Sequence, residues 1–359
     1  MKMATKEIKK SDKFDILSEL SKDLPLFGDQ DYETKVEPIA SGSLSLDQAI
    51  GIGGYPRGGI VNIFGNESAG KSLISIMAIA EIQKKGGVAV VWDAEHSYSK
   101  NLTWMRVNGV DTSKLKFLKL RPGQGAEVGF DAIEKILRAQ AADLIIVDSC
   151  PALIPQAALE KEMTDTATMA ARAGMLTRAI PRVANLAEDS KTCVMFIDQM
   201  RANMDGGLYG PKEKETTIFA LKFFSSVRLH VKRVSKSERI ENDVPVAHRV
   251  HIKVVKNKVA APHRQAEFEV NYFKGVDNAS EIADILISAD VAKKQAAWIE
   301  YDKKRFHGKD KLVEYFKDKE NFAKGLEKIK SLTTLNTFGI INNQEAPVNT
   351  DELKVEEEE

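Results

Sequence analysis

Residues Gly65–Ser72 read Gly-Asn-Glu-Ser-Ala-Gly-Lys-Ser, a G-x-x-x-x-G-K-[ST] loop between the apolar run Ile60–Phe64 and a helical pattern that starts at Leu73. Strand, phosphate loop and helix in that order commit this part of the chain to an α/β arrangement. Gly65 and Gly70 lack a Cβ, so the backbone can wrap closely around a triphosphate. The amides from Gly65 through Asn66, Glu67, Ser68, Ala69 and Gly70 are then aimed at its oxygens, and the helix N-terminus adds partial positive charge. In that frame Lys71 reaches the β- and γ-phosphates and the Ser72 hydroxyl ligates Mg²⁺.

The pattern around this loop repeats. Short apolar runs at Val88–Trp92, Lys116–Leu120, Leu144–Val147 and Cys193–Ile197 alternate with helical stretches such as Ser72–Lys85 and Ala126–Gln140. Continuous rather than alternating apolarity suits parallel strands covered on both faces, joined by right-handed crossovers. Val227–Val231 and Val250–Val255 instead alternate apolar with basic residues, as expected of antiparallel strands with one wet face. The sheet is therefore mixed and mainly parallel.

At 359 residues, 43% of them hydrophobic, the chain can fill one large core with smaller pieces at its ends. The expected division is an N-terminal helix and tether over 1–38, a nucleotide-binding core over 39–274, a small α/β lobe over 275–335 and an acidic tail over 336–359. The first piece rests on Phe14, Leu17, Leu20 and Leu24 at helical spacing, closed by Pro25, a sticky face suited to docking on another subunit. The lobe rests on helical patterns at Ser280–Ala289 and Lys309–Leu332. After Leu332 the chain is polar and unpatterned, as in a disordered segment.

Net charge is zero, but Asp351–Glu359 holds six acids and one Lys, which leaves a mildly basic body. Cys150 and Cys193 lie in or beside strand-like runs without metal-ligand spacing and read as buried thiols in a reducing compartment. No apolar stretch approaches the ~18 residues of a membrane helix, so the expectation is a cytoplasmic protein.

Chemistry concentrates at strand ends. Asp148 closes the run Leu144–Val147, where a carboxylate would hold Mg²⁺ through water. Val91-Trp92-Asp93-Ala94-Glu95-His96 leaves another strand with carboxylates at its C-terminal end; Glu95 is the candidate base, while Asp93 and His96 suit structural hydrogen bonds. Gln199, after Cys193–Ile197, can sense the γ-phosphate and pass its presence to the segment Met200–Phe219. That segment and a second one, Gln156–Met169, look like long loops beside the nucleotide.

Taken together, Ser41–Asp47, the phosphate loop, Asp93–His96, Leu144–Ser149, Ala220–Phe223 and Lys253–Lys258 with Ala260-Ala261-Pro262 resemble the bacterial-type RecA recombinases, and the likeness runs from about Ile39 to Leu332. The resemblance implies a RecA-like P-loop ATPase core with an N-terminal polymerisation helix and a small C-terminal lobe. It implies subunits that polymerise on single-stranded DNA with ATP and Mg²⁺ between them, pair that strand with homologous double-stranded DNA and exchange strands. It assigns Lys71 and Ser72 to phosphate and Mg²⁺, Glu95 to water activation, Asp148 to the metal and Gln199 to coupling with the second DNA loop. Trp104 stands where the family has an adenine-stacking aromatic; a core indole is the other reading. Lys256 and Lys258 resemble a pair that reaches the neighbouring subunit's ATP, with Lys222, Phe223 and Arg228 as the interface set beside it. Arg172 and Arg201, at the two loops, and Lys232, Arg233 and Lys253 resemble DNA contacts.

There are departures. Thr217 and Ile218 stand where the family commonly closes the second loop with a Gly pair, and both loops differ by one residue in length. Such drift suits a phage-encoded or divergent member. A ring helicase built on the same core and a non-catalytic ATP-bound scaffold are the competing readings.

Overall fold

The computed structural model describes residues 36–160, 168–202 and 213–337. The helix expected around Phe14–Leu24, the tips of both long loops and the acidic tail lie outside the described residues.

Among the described residues eleven strands form one sheet. Its main strands are β1 (Ile60–Gly65), β2 (Ala89–Asp93), β3 (Lys116–Leu118), β4 (Leu144–Asp148), β5 (Cys193–Ala202), β6 (Val227–Arg233), β7 (Val244–Asn257), β8 (Gln265–Asn271) and β9 (Gly275–Val276). They lie in the order β9-β8-β7-β6-β1-β5-β4-β2-β3. From β6 to β3 all neighbours are parallel; from β6 to β9 they are antiparallel.

Strand periodicity explains why the central runs are apolar throughout. Leu144 and Ile146 of β4 face a core formed with helix α1 (Lys71–Lys84), whereas Ile145 and Val147 face a second core formed with α2 (Ala126–Arg138) and α3 (Thr168–Ser190). Each such side chain removed from water contributes about 1.5–3 kcal/mol. Cys193 and Cys150 are both buried, and burial pushes the Cys193 thiol up to about 12, so it stays protonated.

Three local expectations change. Strand β6 has no wet face at Arg228: the side chain is only 9% exposed, its guanidinium donating to Asn62 Oδ1 at 3.0 Å and pairing with Glu215 of the ribbon after Gln199. The long loop after Gln199 begins and ends as a ribbon, with Met200 opposite Glu215 and Ala202 opposite Glu213. The helical stretch Lys309–Leu332 is two helices, Lys309–Phe316 and Lys319–Thr337, because Asp318 Oδ1 accepts from the amides of Glu320 and Asn321 and so starts a new helix.

A third core gathers Ile282, Leu286, Ile299, Leu312 and Phe316 from the C-terminal part, with Leu44 packed against it. This part is tied to the helix Leu44–Ile50 by a buried carboxylate. Glu281 accepts from the Ser43 and Ser45 hydroxyls, each at 2.6 Å, and from the Leu44 amide at 3.0 Å, at the start of helix Leu44–Ile50. Nearby, Asp47 Oδ1 accepts from the Ser41 amide at 2.8 Å. Burial raises the Asp47 carboxyl to about 8, partly opposed by the Ser41 hydrogen bonds and reinforced by the Glu281 charge. With the folded pKa above the unfolded value, the folded state binds the extra proton, so the contribution of Asp47 to stability is fully present below about pH 4 and is lost as pH rises towards 8. Asp47→Asn should flatten urea midpoints measured between pH 5 and 8, removing a slope of at most about 1.4 kcal/mol per pH unit. An unchanged slope would remove Asp47 as its source.

Candidate functional site

The carboxyl ends of the parallel strands meet along one edge. Gly65 is in register with Gln199, and Asp93 with Asp148. A crevice at this edge is where open α/β sheets bind ligands. Here a cavity of about 540 Å³ is lined by Glu67, Ser68, Gly70, Lys71, Ser72, Glu95, Trp104, Asp148 and Gln199, together with Asn101, Ser149, His248 and Tyr272.

The loop at its floor needs its glycines. A Cβ on Gly65 would stand 2.1 Å from the Val231 carbonyl oxygen, and Gly70 has φ +103° as the N-cap of α1. No side chain caps that helix, so its first amides remain available to an anion. Lys71 is folded into the loop, its ammonium donating to the carbonyls of Gly65 at 2.9 Å and Asn66 at 2.6 Å. Burial lowers its pKa, opposed by the charges of Asp148 and Glu95. Asn66 points away from the floor, with Nδ2 donating to Glu213 Oε1 at 2.9 Å, and Ala69 packs into the first core.

Ser72 Oγ donates to Asp148 Oδ2 at 3.0 Å. Burial pushes Asp148 up to about 6; the Glu95 charge adds to this, while the Ser72 and Tyr98 hydrogen bonds and Lys71 oppose it. A hydroxyl and a carboxylate side by side are hard oxygen donors, and no group of three or more His, Cys, Asp or Glu able to hold a metal occurs among the described residues. That donor set fits Mg²⁺, which takes one or two protein ligands and completes its shell with water and phosphate oxygens.

Glu95 is held beside Asp148, its amide donating to the Asp148 carbonyl at 3.3 Å. Gln199 Nε2 donates to its Oε1 at 2.8 Å, and the Ser149 hydroxyl donates to the same oxygen. Oε2 therefore faces a different direction from both. Asp93 is spent locally, accepting from the amides of Ser97 at 2.8 Å and Ser99 at 2.9 Å. Trp104 packs against the first core and lines the cavity at once.

The family model described as the RecA N-terminal domain matches residues 8–277. The chain belongs to the RecA family. It is 39% identical over 310 residues to Protein RecA of Mycoplasma mycoides subsp. mycoides, covering 84% of this chain and 86% of that one. It is 40% identical over 305 residues to Protein RecA of a Nitratiruptor species, covering 84% and 85%, and 39% identical over 293 residues to that of Borrelia duttonii, covering 81% and 79%. Members of the RecA family are DNA-dependent ATPases of homologous recombination, and this chain is one of them. No helix among the described residues is long and apolar enough to cross a membrane.

The remaining expected residues lie away from the cavity. Lys256 Nζ donates to the carbonyls of Lys222 at 2.7 Å and Phe223 at 2.6 Å, at the end of helix Phe219–Phe224. Lys256 and Lys258 each stand 5.9 Å from the centre of the Phe223 ring, which is 58% exposed. Lys222 and Arg228 both pair with Glu215. Arg172 and Arg201 share a small cleft with Asp198 and Thr216, and Arg172 donates to the Pro151 carbonyl at 2.5 Å. Lys232 is paired in register with His251, and Lys253 with His230, so these two cations share one sheet face; Arg233, on the other face, pairs with Glu238.

Reading the sequence missed Ser149, Asn101, His248 and Tyr272 in the cavity wall. Ser149 comes directly after the Asp148 strand and was within reach of a sequence argument. His248 and Tyr272 were not, since they reach the loop only through the pairing of β7 and β8.

Proposed function

We propose that this chain binds Mg²⁺-ATP in the cavity above Gly65–Ser72, polymerises head to tail on single-stranded DNA, and pairs that strand with homologous duplex for strand exchange in the cytoplasm. Residues 1–38 dock on the neighbouring subunit, 39–274 form the ATPase core, 275–335 the small lobe and 336–359 an acidic tail. One observation carries the shared-site part of this reading. The carboxylates and Lys71 line one cavity, while Lys256 and Lys258 stand elsewhere in the same chain, around an exposed Phe223. A head-to-tail contact that does not close on itself can bring that exposed group to the next subunit's nucleotide and gives an open helix.

Within the site, the α1 amides and Lys71 bind the phosphates, and Ser72 and Asp148 hold Mg²⁺, which neutralises charge on the phosphate oxygens. Glu95, oriented through Oε1 by Ser149 and Gln199, presents Oε2 to the attacking water and accepts its proton. Gln199 is both a ligand of Glu95 and the entry to the Met200–Ala202 ribbon, so a change at the γ-phosphate reaches the second loop through one side chain. Arg172, Arg201, Lys232, Arg233 and Lys253 supply cations for phosphate contacts along DNA.

The test is ATP hydrolysis with and without single-stranded DNA, followed by strand exchange between circular single strands and linear duplex. Stimulated turnover with joint-molecule formation is expected. A ring helicase would unwind without pairing, and a scaffold would show no turnover; either result would overturn the reading.

A further inference from the structure

On β7, Val246, Val250, Ile252 and Val254 alternate inward and are buried. His248 takes the same inward position and is 6% exposed. An imidazole in an apolar position carries a desolvation cost unless its nitrogens are hydrogen-bonded. Neither Nδ1 nor Nε2 has a partner among the described residues. The ring instead leans on Tyr272, 5.3 Å between centres and tilted by 32°, and both side chains line the cavity that holds Lys71 and Trp104.

Register fixes where along that cavity the ring lies. Val250, two residues further along β7, is the side chain that a Cβ on Gly70 would meet, at 3.2 Å. His248 is therefore about 7 Å along the strand from the phosphate loop, by the rise of an extended chain. The same cavity runs from the loop to His248, Trp104 and Tyr272, so phosphates seated on the loop leave room for the nucleoside beside these three side chains. Trp104 and Tyr272 supply flat apolar surface around this part, and His248 supplies the polar group.

We propose that His248 is a specificity-determining residue that hydrogen-bonds the nucleoside of the bound nucleotide. The inference rests on the reading of this cavity as an ATP site. Burial, with Arg233 adding to it and Glu238 opposing, keeps the His248 pKa low. The neutral ring then has one donor and one acceptor nitrogen. These point apart, so one nitrogen meets the nucleoside, at the base edge or at a ribose hydroxyl.

The experiment is calorimetric titration of the full chain, without DNA and with Mg²⁺. The variants are wild type, His248→Phe, which keeps a ring against Tyr272 but has no nitrogens, and Lys71→Ala. The ligands are ATP, inorganic triphosphate, 2′-deoxy-ATP, and ATP analogues that lack in turn the exocyclic amine, N1 and N7. Loss of one hydrogen bond should weaken ATP binding by His248→Phe about 3- to 10-fold, with inorganic triphosphate unchanged. The analogue missing the contacted group should bind wild type and His248→Phe alike; a base analogue places the contact on the base edge, 2′-deoxy-ATP on the ribose. The inference is overturned if His248→Phe binds ATP as wild type does, if inorganic triphosphate loses equally, or if every analogue shows the full loss. Lys71→Ala separates the two levels: if it too binds ATP normally, the nucleotide-site reading has failed rather than the His248 contact alone.

Discussion

Glu95→Gln is expected to lower ATP turnover by about 10²- to 10⁴-fold, the usual contribution of a positioned general base, while ATP binding and assembly on single-stranded DNA persist. The geometry says why the two effects separate. Both donors to Glu95, Ser149 and Gln199, use Oε1, and an amide oxygen can still accept them, so the wall of the cavity keeps its shape. What is lost is basicity at the second position. The substitution also removes a charge that raises the Asp148 pKa, so Asp148 should hold Mg²⁺ at least as well as before. Lys71→Ala acts on the phosphate loop and should abolish binding as well as turnover, because it removes the only cation in the loop itself. Equilibrium binding alongside single-turnover hydrolysis distinguishes the pair; rapid turnover by Glu95→Gln would end its assignment as the base.

A mixture of two inactive proteins should recover activity. One carries Glu95→Gln, the other Lys256→Ala with Lys258→Ala. If each site takes its carboxylate from one chain and its lysines from the next, random one-to-one filaments contain roughly a quarter intact sites. Cations placed in trans against a transferring phosphoryl group are worth about 10³- to 10⁵-fold in comparable enzymes, so each parent should lie far below the mixture. The double substitution also removes the lysine that caps helix Phe219–Phe224, so assembly of that variant must be verified by sedimentation. If both variants assemble on saturating single-stranded DNA and ATP and the mixture stays as inactive as its parts, the lysines serve their own subunit.

Much of this site was legible before any fold was known, and the reason is local. A phosphate loop is one continuous segment whose glycines, lysine and serine act through their own backbone, so Gly65–Ser72 declares itself in eight letters. Buried parallel strands likewise announce themselves by uninterrupted apolar runs, and Glu95, Asp148 and Gln199 could be picked out because each lies at the end of such a run. Sequence by itself determined the strand, loop and helix around the phosphates, the mixed sheet and the family. Tertiary structure decided what depends on residues far apart in the chain: that Gln199 grips Glu95, that Ser72 meets Asp148, and that Glu281 closes the start of helix Leu44–Ile50. It also decided that Arg228 faces inward, that Lys256 and Lys258 stand apart from their own chain's cavity, and that His248 enters it. In each case the side chain's chemistry is the same in either place. Strand order and register set whether it meets water, a neighbour or a ligand, and these are fixed only when the whole sheet packs.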